Sequence, residues 1–216
     1  MNGYDFSLSG ARLTARASGT LWWAAEGLLC LSDMHLGKAE RMARRGGAAL
    51  PPYEIRDTLT RLEAEIEALS PATVLCLGDS FDDLAAADAL SQAELDWLAR
   101  LQAGRRWIWL EGNHDPGPIA LGGTHLGELA LGPLTFRHIA EPGAQGEISG
   151  HYHPKAGLRG AARPCFLLDD SRLILPAFGT YTGGLRSRDP VLAGLMQANA
   201  RAILTGRRTQ VLPMPR

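Results

Sequence analysis

The sequence predicts an α/β (α+β) fold in which strands and helices alternate first and a second β-sheet follows. Three short, continuously apolar segments, 28–31, 74–77 and 107–110, are typical of strands buried on both faces of a sheet. Helical patterns separate them, so the first half reads β-α-β-α-β. From residue 129 onward, short apolar segments joined by tight turns are typical of antiparallel strands. We expect a single domain over 1–216.

Local patterns predict the elements of the first half in order. Residues 1–27 are expected to form hairpins, because Ser-Gly turn formers separate their apolar segments. A 4-3-4-3 spacing of apolar residues over 52–69 predicts an amphipathic helix. Ser91 and Glu94 form a capping box for a further helix, which is expected to end at Gly104.

The second half is predicted to form another sheet that faces the first. Its expected strands are 129–136, 166–168, 173–175, 202–204 and 210–212. Tight turns such as the Asp-Asp-Ser before the third of them predict antiparallel pairing.

Composition excludes several classes of protein. The net charge is −1, so no global basic field indicates a nucleic-acid partner. No apolar run reaches the roughly 18–20 residues of a membrane span. The first residues carry an acid at Asp5 and no basic region with an apolar core, which predicts a cytoplasmic protein without a signal peptide.

The three cysteines, Cys30, Cys76 and Cys165, lie in apolar, strand-like segments. Their odd number and the lack of CxxC spacing argue against a disulfide framework and a zinc knuckle. We expect reduced, buried thiols.

Polar segments follow the predicted strands and hold five of the six histidines. They are Asp33-x-His35, Gly78-Asp79-x-x-Asp82, Gly112-Asn113-His114-Asp115, His138 and Gly150-His151-x-His153. Two ions bridged at roughly 3.5–4 Å need one shared carboxylate and several nitrogen and oxygen donors. A His/Asp/Asn set without sulfur suits manganese, iron or zinc in a catalytic site. The sequence therefore predicts a two-metal centre.

Spacing within these segments supports a common site. In extended backbone, residues i and i+2 point to the same side, so both members of Asp-x-His or His-x-His can serve one cluster. Glycines at 78, 112 and 150 allow a sharp turn beside the ions without a Cβ atom in the way.

The ordered series DxH, GDxxD, GNHD, H and GHxH over 33–153 resembles the calcineurin-like metallophosphoesterase superfamily. A closer resemblance is to the bacterial ligase-associated DNA damage response endonucleases. The segments that carry it are 31–39, 50–53, 76–81, 107–116, 150–156, 163–166 and 175–185. The resemblance implies a four-layer αββα fold, with two facing mixed β-sheets flanked by helices.

The resemblance also implies the ligands. One ion is expected on Asp33, His35 and His153, the other on Asn113, His138 and His151, with Asp79 as the bridge. His114 would face the substrate as a general acid, oriented or tuned by Asp115. Asp82 would be a structural partner.

The single histidine between GNHD and GHxH is open to two assignments. His138 follows an apolar, strand-like segment that would present it rigidly. His125 lies in a glycine-rich segment, 122–127, that reads as a mobile loop. We favour His138 as the ligand and expect a surface histidine at 125.

Substrate-binding residues are predicted in two groups. Lys38, Arg41, Arg44 and Arg45 follow the first metal motif, where they could contact backbone phosphates. Aromatic residues at Tyr152, Tyr181 and Phe178 could stack on unpaired bases, with ordinary packing as the alternative. The resemblance implies manganese-dependent cleavage of single-stranded DNA in repair, in functional association with a DNA ligase, a helicase and an exonuclease.

Two other functions are compatible with the same motifs. A hydrolase of a nucleotide-type diester or a UDP-sugar-lipid pyrophosphate would need an apolar groove or a membrane-facing helix. A non-catalytic scaffold would have no need of His114.

Overall fold

The computed structural model describes residues 2–47, 50–117, 120–157 and 162–215. Seven strands form the first sheet and lie side by side in chain order. They are β1 Gly3–Leu8, β2 Ala11–Arg16, β3 Leu21–Trp23, β4 Leu28–Leu31, β5 Thr73–Leu77, β6 Arg106–Leu110 and β7 Thr124–Leu126. Strands β1 to β4 pair antiparallel, and β4 to β7 pair parallel.

The second sheet contains the remaining strands. They are β8 Glu128–Leu131, β9 Leu134–Arg137, β10 Glu147–Ser149, β11 Lys155–Ala156, β12 Arg163–Leu168, β13 Arg172–Ile174, β14 Arg201–Leu204 and β15 Gln210–Pro213. Their order across the sheet is β15-β14-β12-β13-β10-β9-β8, and β11 pairs with β12. The sheet is mixed, because β10 runs parallel to both β9 and β13.

The helices are α1 Lys38–Arg44, α2 Glu54–Leu69, α3 Leu84–Asp88, α4 Gln92–Gln102 and α5 Pro190–Leu195, with a 3₁₀ turn at Ala24–Glu26. In the described part of the chain, none of them is long and apolar enough to cross a membrane.

The strands of the first sheet alternate their side chains between two cores. In β4, Leu28 and Cys30 face the second sheet, while Leu29 and Leu31 face the helices α2 and α4. Both faces are apolar because both are covered, as expected for buried parallel strands. A third core packs α5 against the far side of the second sheet. The layers are therefore helix, sheet, sheet and helix, which confirms the predicted fold class.

Several local predictions need correction. The helix expected over 52–69 begins at Glu54. The strand expected over 129–136 is a hairpin of β8 and β9, because Gly132 at φ 55° turns the chain. The second sheet is mixed and not purely antiparallel. His125 lies in β7, beside β6, and not in a loop.

The site lies where strands of both sheets end. Because β4, β5 and β6 are parallel, the segments that follow them meet at one edge. The ends of β9 and β10 bring the second sheet's polar residues to the same place, as their contacts with the first sheet's loops show.

Candidate metal centre

The seven predicted ligands converge at this edge. Asp33 and His35 follow β4, Asp79 follows β5, Asn113 follows β6, His138 follows β9, and His151 and His153 follow β10. Asp33, His35, Asp79 and His138 are buried, whereas Asn113 is exposed and the other two histidines are half-buried.

One group of ligand atoms comprises Asp33, His35 and His153. The Nε2 atom of His153 lies 3.2 Å from Oδ1 of Asp33 and 3.2 Å from Nε2 of His35. Ligands bonded to one ion at about 2.0–2.2 Å lie roughly 3 Å from each other. The three atoms therefore have the spacing of donors around one cation.

The second group comprises Asp79, His138, His151 and Asn113. The Nε2 atom of His138 lies 3.0 Å from Oδ1 of Asn113, 3.3 Å from Nδ1 of His151 and 3.3 Å from Oδ2 of Asp79. The same Oδ2 atom lies 3.8 Å from Nε2 of His35. Asp79 thus stands between the two groups, in the place of a bridging carboxylate.

Neighbouring groups fix the histidine tautomers. His138 Nδ1 lies 3.1 Å from the carbonyl oxygen of Leu77, which can only accept, so this nitrogen carries the hydrogen. His35 Nδ1 lies 2.8 Å from Oδ1 of the buried Asp82 and is held in the same way. In both rings the lone pair of Nε2 then faces the centre. Carboxylates and carbonyls behind ligating histidines have this orienting function in metal sites.

The backbone at the ligands is strained. Seven non-glycine residues of the described ranges have positive φ, and five of them are Asp33, His35, Asp79, His151 and His153, at φ 45–68°. Such conformations cost on the order of 1–3 kcal/mol each and concentrate at functional sites. The two i, i+2 pairs are consequently not extended, and His151 and His153 point into different groups. The extended-backbone argument for their spacing was wrong.

Two glycines permit the close approach of the loops. A Cβ atom at Gly112 would overlap the backbone nitrogen and Oδ1 of Asp79. One at Gly150 would overlap Oγ of Ser32 and Oδ2 of Asp33. Glycine is therefore required where the loops cross beside the ligands, as predicted.

Electrostatics favour cations at this position. Burial raises the pKa of Asp33, but the adjacent ring of His153 and its charge, with the charge of His138, lower it overall. For Asp79, burial also opposes ionisation, yet His138, the backbone of His114 and His35 lower the pKa to about 2. Both carboxylates are thus ionised at neutral pH.

A buried acceptor gives a direct test of metal fit. Oδ1 of Asp33 is fully buried and has no hydrogen-bond partner of acceptable geometry among the described residues. An unpaired buried carboxylate oxygen is costly unless a cation or donor satisfies it. With imidazole nitrogens and an amide oxygen beside it, the donor set suits two divalent ions such as manganese, iron or zinc.

His114 lies next to both groups, and its ring is close enough to His35 and Asp79 to form a further possible donor group with them. Its ring packs edge-on against His35, with centroids 5.0 Å apart, and its backbone nitrogen donates to Oδ1 of Asp79. Its Nδ1 donates to the carbonyl oxygen of Asp82 at 2.9 Å, because a carbonyl cannot donate. Nε2 is then the atom available to exchange a proton with a bound molecule.

Asp115 has a different position from the one expected. Its carboxylate accepts hydrogen bonds from the backbone nitrogens of Ser80, Phe81 and Gly112 and so ties two ligand-bearing loops together. Burial and the charge of Asp79 raise its pKa to about 6 against these hydrogen bonds. The ring of His114 is instead oriented by the hydrogen bond that its Nδ1 donates to the backbone carbonyl of Asp82, the residue that the family resemblance implies as a structural partner.

The structure separates the two candidate histidines. His138 is buried in the second group, whereas His125 stacks on Trp109, with ring centroids 6.4 Å apart. Its place in β7 gives it a packing contact and no partner among the ligand groups found in the described residues.

The predicted phosphate-binding cations lie on and just after α1, and each faces a carboxylate. Arg41 pairs with Asp82, and Lys38 Nζ lies 3.8 Å from the same carboxylate. Arg44 and Arg45 lie 2.9 and 3.4 Å from Asp83. Much of the positive charge of this segment is therefore neutralised within the protein.

The aromatic candidates differ in accessibility. Tyr152 is half-buried and packs edge-on against His151, with centroids 5.0 Å apart. Tyr181 is half-buried in the segment after Phe178. Phe178 itself is buried under the guanidinium of Arg61, 4.6 Å away, so it cannot stack on a base.

Some supporting residues were missed in the sequence. Ser32 donates to Oδ2 of Asp33, and Gly179 leaves room for the carbonyl of Met34. Lys155 and Arg61 line a polar groove that also includes Gly179. Of these residues, only Lys155 could have been identified from the sequence, because it lies two residues after a metal motif.

Comparisons with known proteins agree with this geometry. A family model described as calcineurin-like phosphoesterase matches residues 28–170. The crystal structure of nuclease MPE from Pseudomonas putida is similar over 98% of this chain and 100% of that chain, with a TM-score of 0.79 and 29% sequence identity. A comparison with curated proteins finds no match.

Proposed function

Because the chain belongs to the calcineurin-like phosphoesterase family, whose members carry a dinuclear metal centre, we propose that it is a manganese-dependent endonuclease that cleaves single-stranded DNA in repair. Its family makes it a metal-dependent phosphoester hydrolase. Our proposal adds to this activity the nucleic-acid substrate, manganese as the metal, and a function in DNA repair.

The observation that carries the proposal is the shared position of Asp79 between the two donor groups. One group would hold an ion through Asp33, His35 and His153, and the other through Asn113, His138 and His151. When bound, two divalent cations supply an activated water and neutralise charge on the phosphoryl oxygens.

The chain itself supplies the proton for the leaving group. With Nδ1 of His114 committed to the carbonyl of Asp82, a protonated Nε2 can donate to the departing sugar oxygen. Asp82 serves both histidines, since its carboxylate holds His35 and its carbonyl holds His114. A scaffold has no use for this arrangement, which favours the enzyme.

Two lines of support favour nucleic acid. The similar structure from Pseudomonas putida is that of a nuclease, and it is matched over nearly the full length of both chains. The motifs between residues 31 and 185 resemble ligase-associated DNA damage response endonucleases. On that resemblance we also propose association with a DNA ligase, a helicase and an exonuclease. A cytoplasmic location, expected from the first residues of the sequence, is part of the proposal.

The lipid pyrophosphate alternative has less support. The outer face of α2 carries exposed charged residues, including Arg56, Glu67 and the ion pair of Arg61 with Asp57. A membrane-facing helix would instead expose an apolar face.

The test is incubation with manganese and end-labelled single-stranded, duplex and hairpin DNA, with Asp79→Ala as the control. We expect internal cleavage of the single strand by the native chain and none by the variant. Hydrolysis of bis-p-nitrophenyl phosphate together with intact DNA would reject the nuclease and retain the phosphoesterase.

A further inference from the structure

A polar groove of about 350 Å³ is lined in part by Gly179, whose backbone contacts the metal centre at Asp33. Its lining includes Arg61, Lys155, Thr180, Thr182 and Thr205. Among the described residues, the lining contains one carboxylate, Asp57, which accepts hydrogen bonds from Arg61 and Thr180. The wall therefore presents hydroxyls and amino groups without a free acid.

The groove shares a wall with the metal centre. The backbone nitrogen of Gly179 donates to the carbonyl of Asp33 at 3.1 Å, and Gly184 packs against the backbone of His153. Thr182, between these two glycines, accepts a hydrogen bond from Nζ of Lys155 at 3.2 Å. One segment, 179–184, thus touches ligands of the first donor group on one side and lines the groove on the other.

A row of cations continues outward from the groove. Strand β11 places Lys155 opposite Pro164 of β12, next to Arg163. The turn between β14 and β15 packs there, since Thr205 donates to the carbonyl of Pro164 and Gly206 lies against the guanidinium of Arg163. The same turn carries the exposed Arg207 and Arg208. We call Lys155, Arg163, Arg207 and Arg208 the basic rim.

The basic rim keeps its charge. Among the described residues, the ion pairs include none with Lys155, Arg163, Arg207 or Arg208. Lys155 is held by a carbonyl oxygen, and Arg163 by the amide oxygen of Gln210. Neutral partners fix a cation in place while leaving its charge and remaining N–H groups for an external anion. The cations of α1 differ, because carboxylates face them.

We propose that the groove and the basic rim bind the phosphodiester backbone of the substrate strand as it leaves the metal centre past His153. This assignment rests on the proposed nuclease function and names the surface that its substrate follows. Successive phosphates would meet Lys155 first and then Arg163, Arg207 and Arg208. Backbone contacts of this kind fix the position of a strand without reading its sequence.

The experiment measures binding of a fluorescein-labelled dT₁₂ oligonucleotide by anisotropy over a range of salt concentrations, in EDTA so that no cleavage occurs. Each phosphate contact contributes about 0.7 to the slope of log affinity against log salt for single strands. We expect Lys155→Gln/Arg163→Gln to lose about 1.4 from this slope. The charge-retaining pair Lys155→Arg/Arg163→Lys should restore it, which separates a charge effect from a folding defect.

A matched control removes two exposed arginines of the first sheet, outside the basic rim. Arg12→Gln/Arg106→Gln has the same change in net charge, and the slope should stay at the wild-type value. Equal loss in both double variants would overturn the proposal, as would an unchanged slope in Lys155→Gln/Arg163→Gln. If that variant binds normally while the native chain still cuts DNA with manganese, only the groove assignment fails. A native chain that neither binds nor cuts DNA would overturn the groove assignment and the nuclease together.

Discussion

The Nε2 atoms of His35 and His153 lie 3.2 Å apart, although the residues are separated by 118 positions in the chain. Asp82 holds the hydrogen of His35 on the opposite nitrogen, so His35 directs a lone pair at this point. A ring nitrogen and a carboxylate of Asp33 directed at the same point repel each other unless a cation or proton lies between them. This relationship is the reason to regard the site as a metal centre.

Replacing His114 with alanine should slow hydrolysis of a diester with a poor leaving group by about 10²–10⁴-fold, the usual effect of losing a general acid. Metal content should not change, because the family resemblance assigns His114 to the substrate and not to either ion, although its ring lies close to His35 and Asp79. Steady-state kinetics and elemental analysis of the purified variant measure the two effects. His125→Ala is the control and should retain activity; an equal loss there, or full activity in His114→Ala, would contradict the assignment.

Replacing Asp82 with asparagine should weaken metal binding by about 10–100-fold, as expected when a group behind a ligating histidine is lost. The amide cannot hold the hydrogen of His35 with the strength of a carboxylate, and it also releases Arg41. Calorimetric titration with manganese gives the affinity. Asp83→Asn changes the adjacent carboxylate, which caps α3 and pairs with Arg44 and Arg45 instead of a histidine ligand, and this variant should bind manganese as the native chain does. Equal affinities for both variants would show that Asp82 does not support the site.

Much of the fold could be read from the sequence, because buried parallel strands are continuously apolar and the helix caps have local signals. The strands β4, β5 and β6 and the capping box at Ser91 are where the sequence predicts them. The parallel pairing of β10 with β9 and β13 could not be predicted, since pairing between distant segments depends on packing that has no local pattern.

As with the fold, part of the metal centre could be predicted from the sequence and part could not. The motifs identified which residues form the site, because each motif follows a strand of the first or the second sheet. The family resemblance assigned His151 and His153 to different ions, but the spacing did not reveal the backbone that separates them, since a positive φ at a histidine has no signal in the sequence. The contacts of Asp115 with the ligand-bearing loops also could not be predicted, because its carboxylate accepts hydrogen bonds from backbone nitrogens, which any residue could supply.

Replacing Gly150 with alanine should abolish metal binding and lower the melting temperature. The added methyl group would overlap Ser32 and the carboxylate of Asp33, and the neighbouring backbone cannot move without displacing His151. Differential scanning calorimetry with and without manganese measures both effects. Gly127→Ala is the matched control, because a Cβ atom there meets no other atom within contact distance. A variant at 150 that binds manganese normally would show that the loops are not packed as described.

The metal-free protein should lose stability as the pH rises through about 8. Burial lowers the pKa of His138, but its hydrogen bond to Asp79 and the charges of Asp33 and Asp79 raise it to about 8. Because this value exceeds the 6.5 of an unperturbed histidine, protonation stabilises the fold, fully below pH 6.5 and not above pH 8. Urea unfolding at several pH values in EDTA measures the change.

His138→Gln is the control for this pH dependence, and its unfolding free energy should fall less over the same range. Saturating manganese should also remove the decrease in the native chain, since a cation then takes the place of the proton on Nε2. An equal decrease in the native and variant chains would assign the effect to another group.

Anomalous diffraction from crystals grown with manganese tests the central claim most directly. We expect two peaks roughly 3.5–4 Å apart, one among Asp33, His35 and His153 and the other among Asn113, His138 and His151, with Asp79 bonded to both. A single peak, or two peaks that do not share Asp79, would contradict the dinuclear centre.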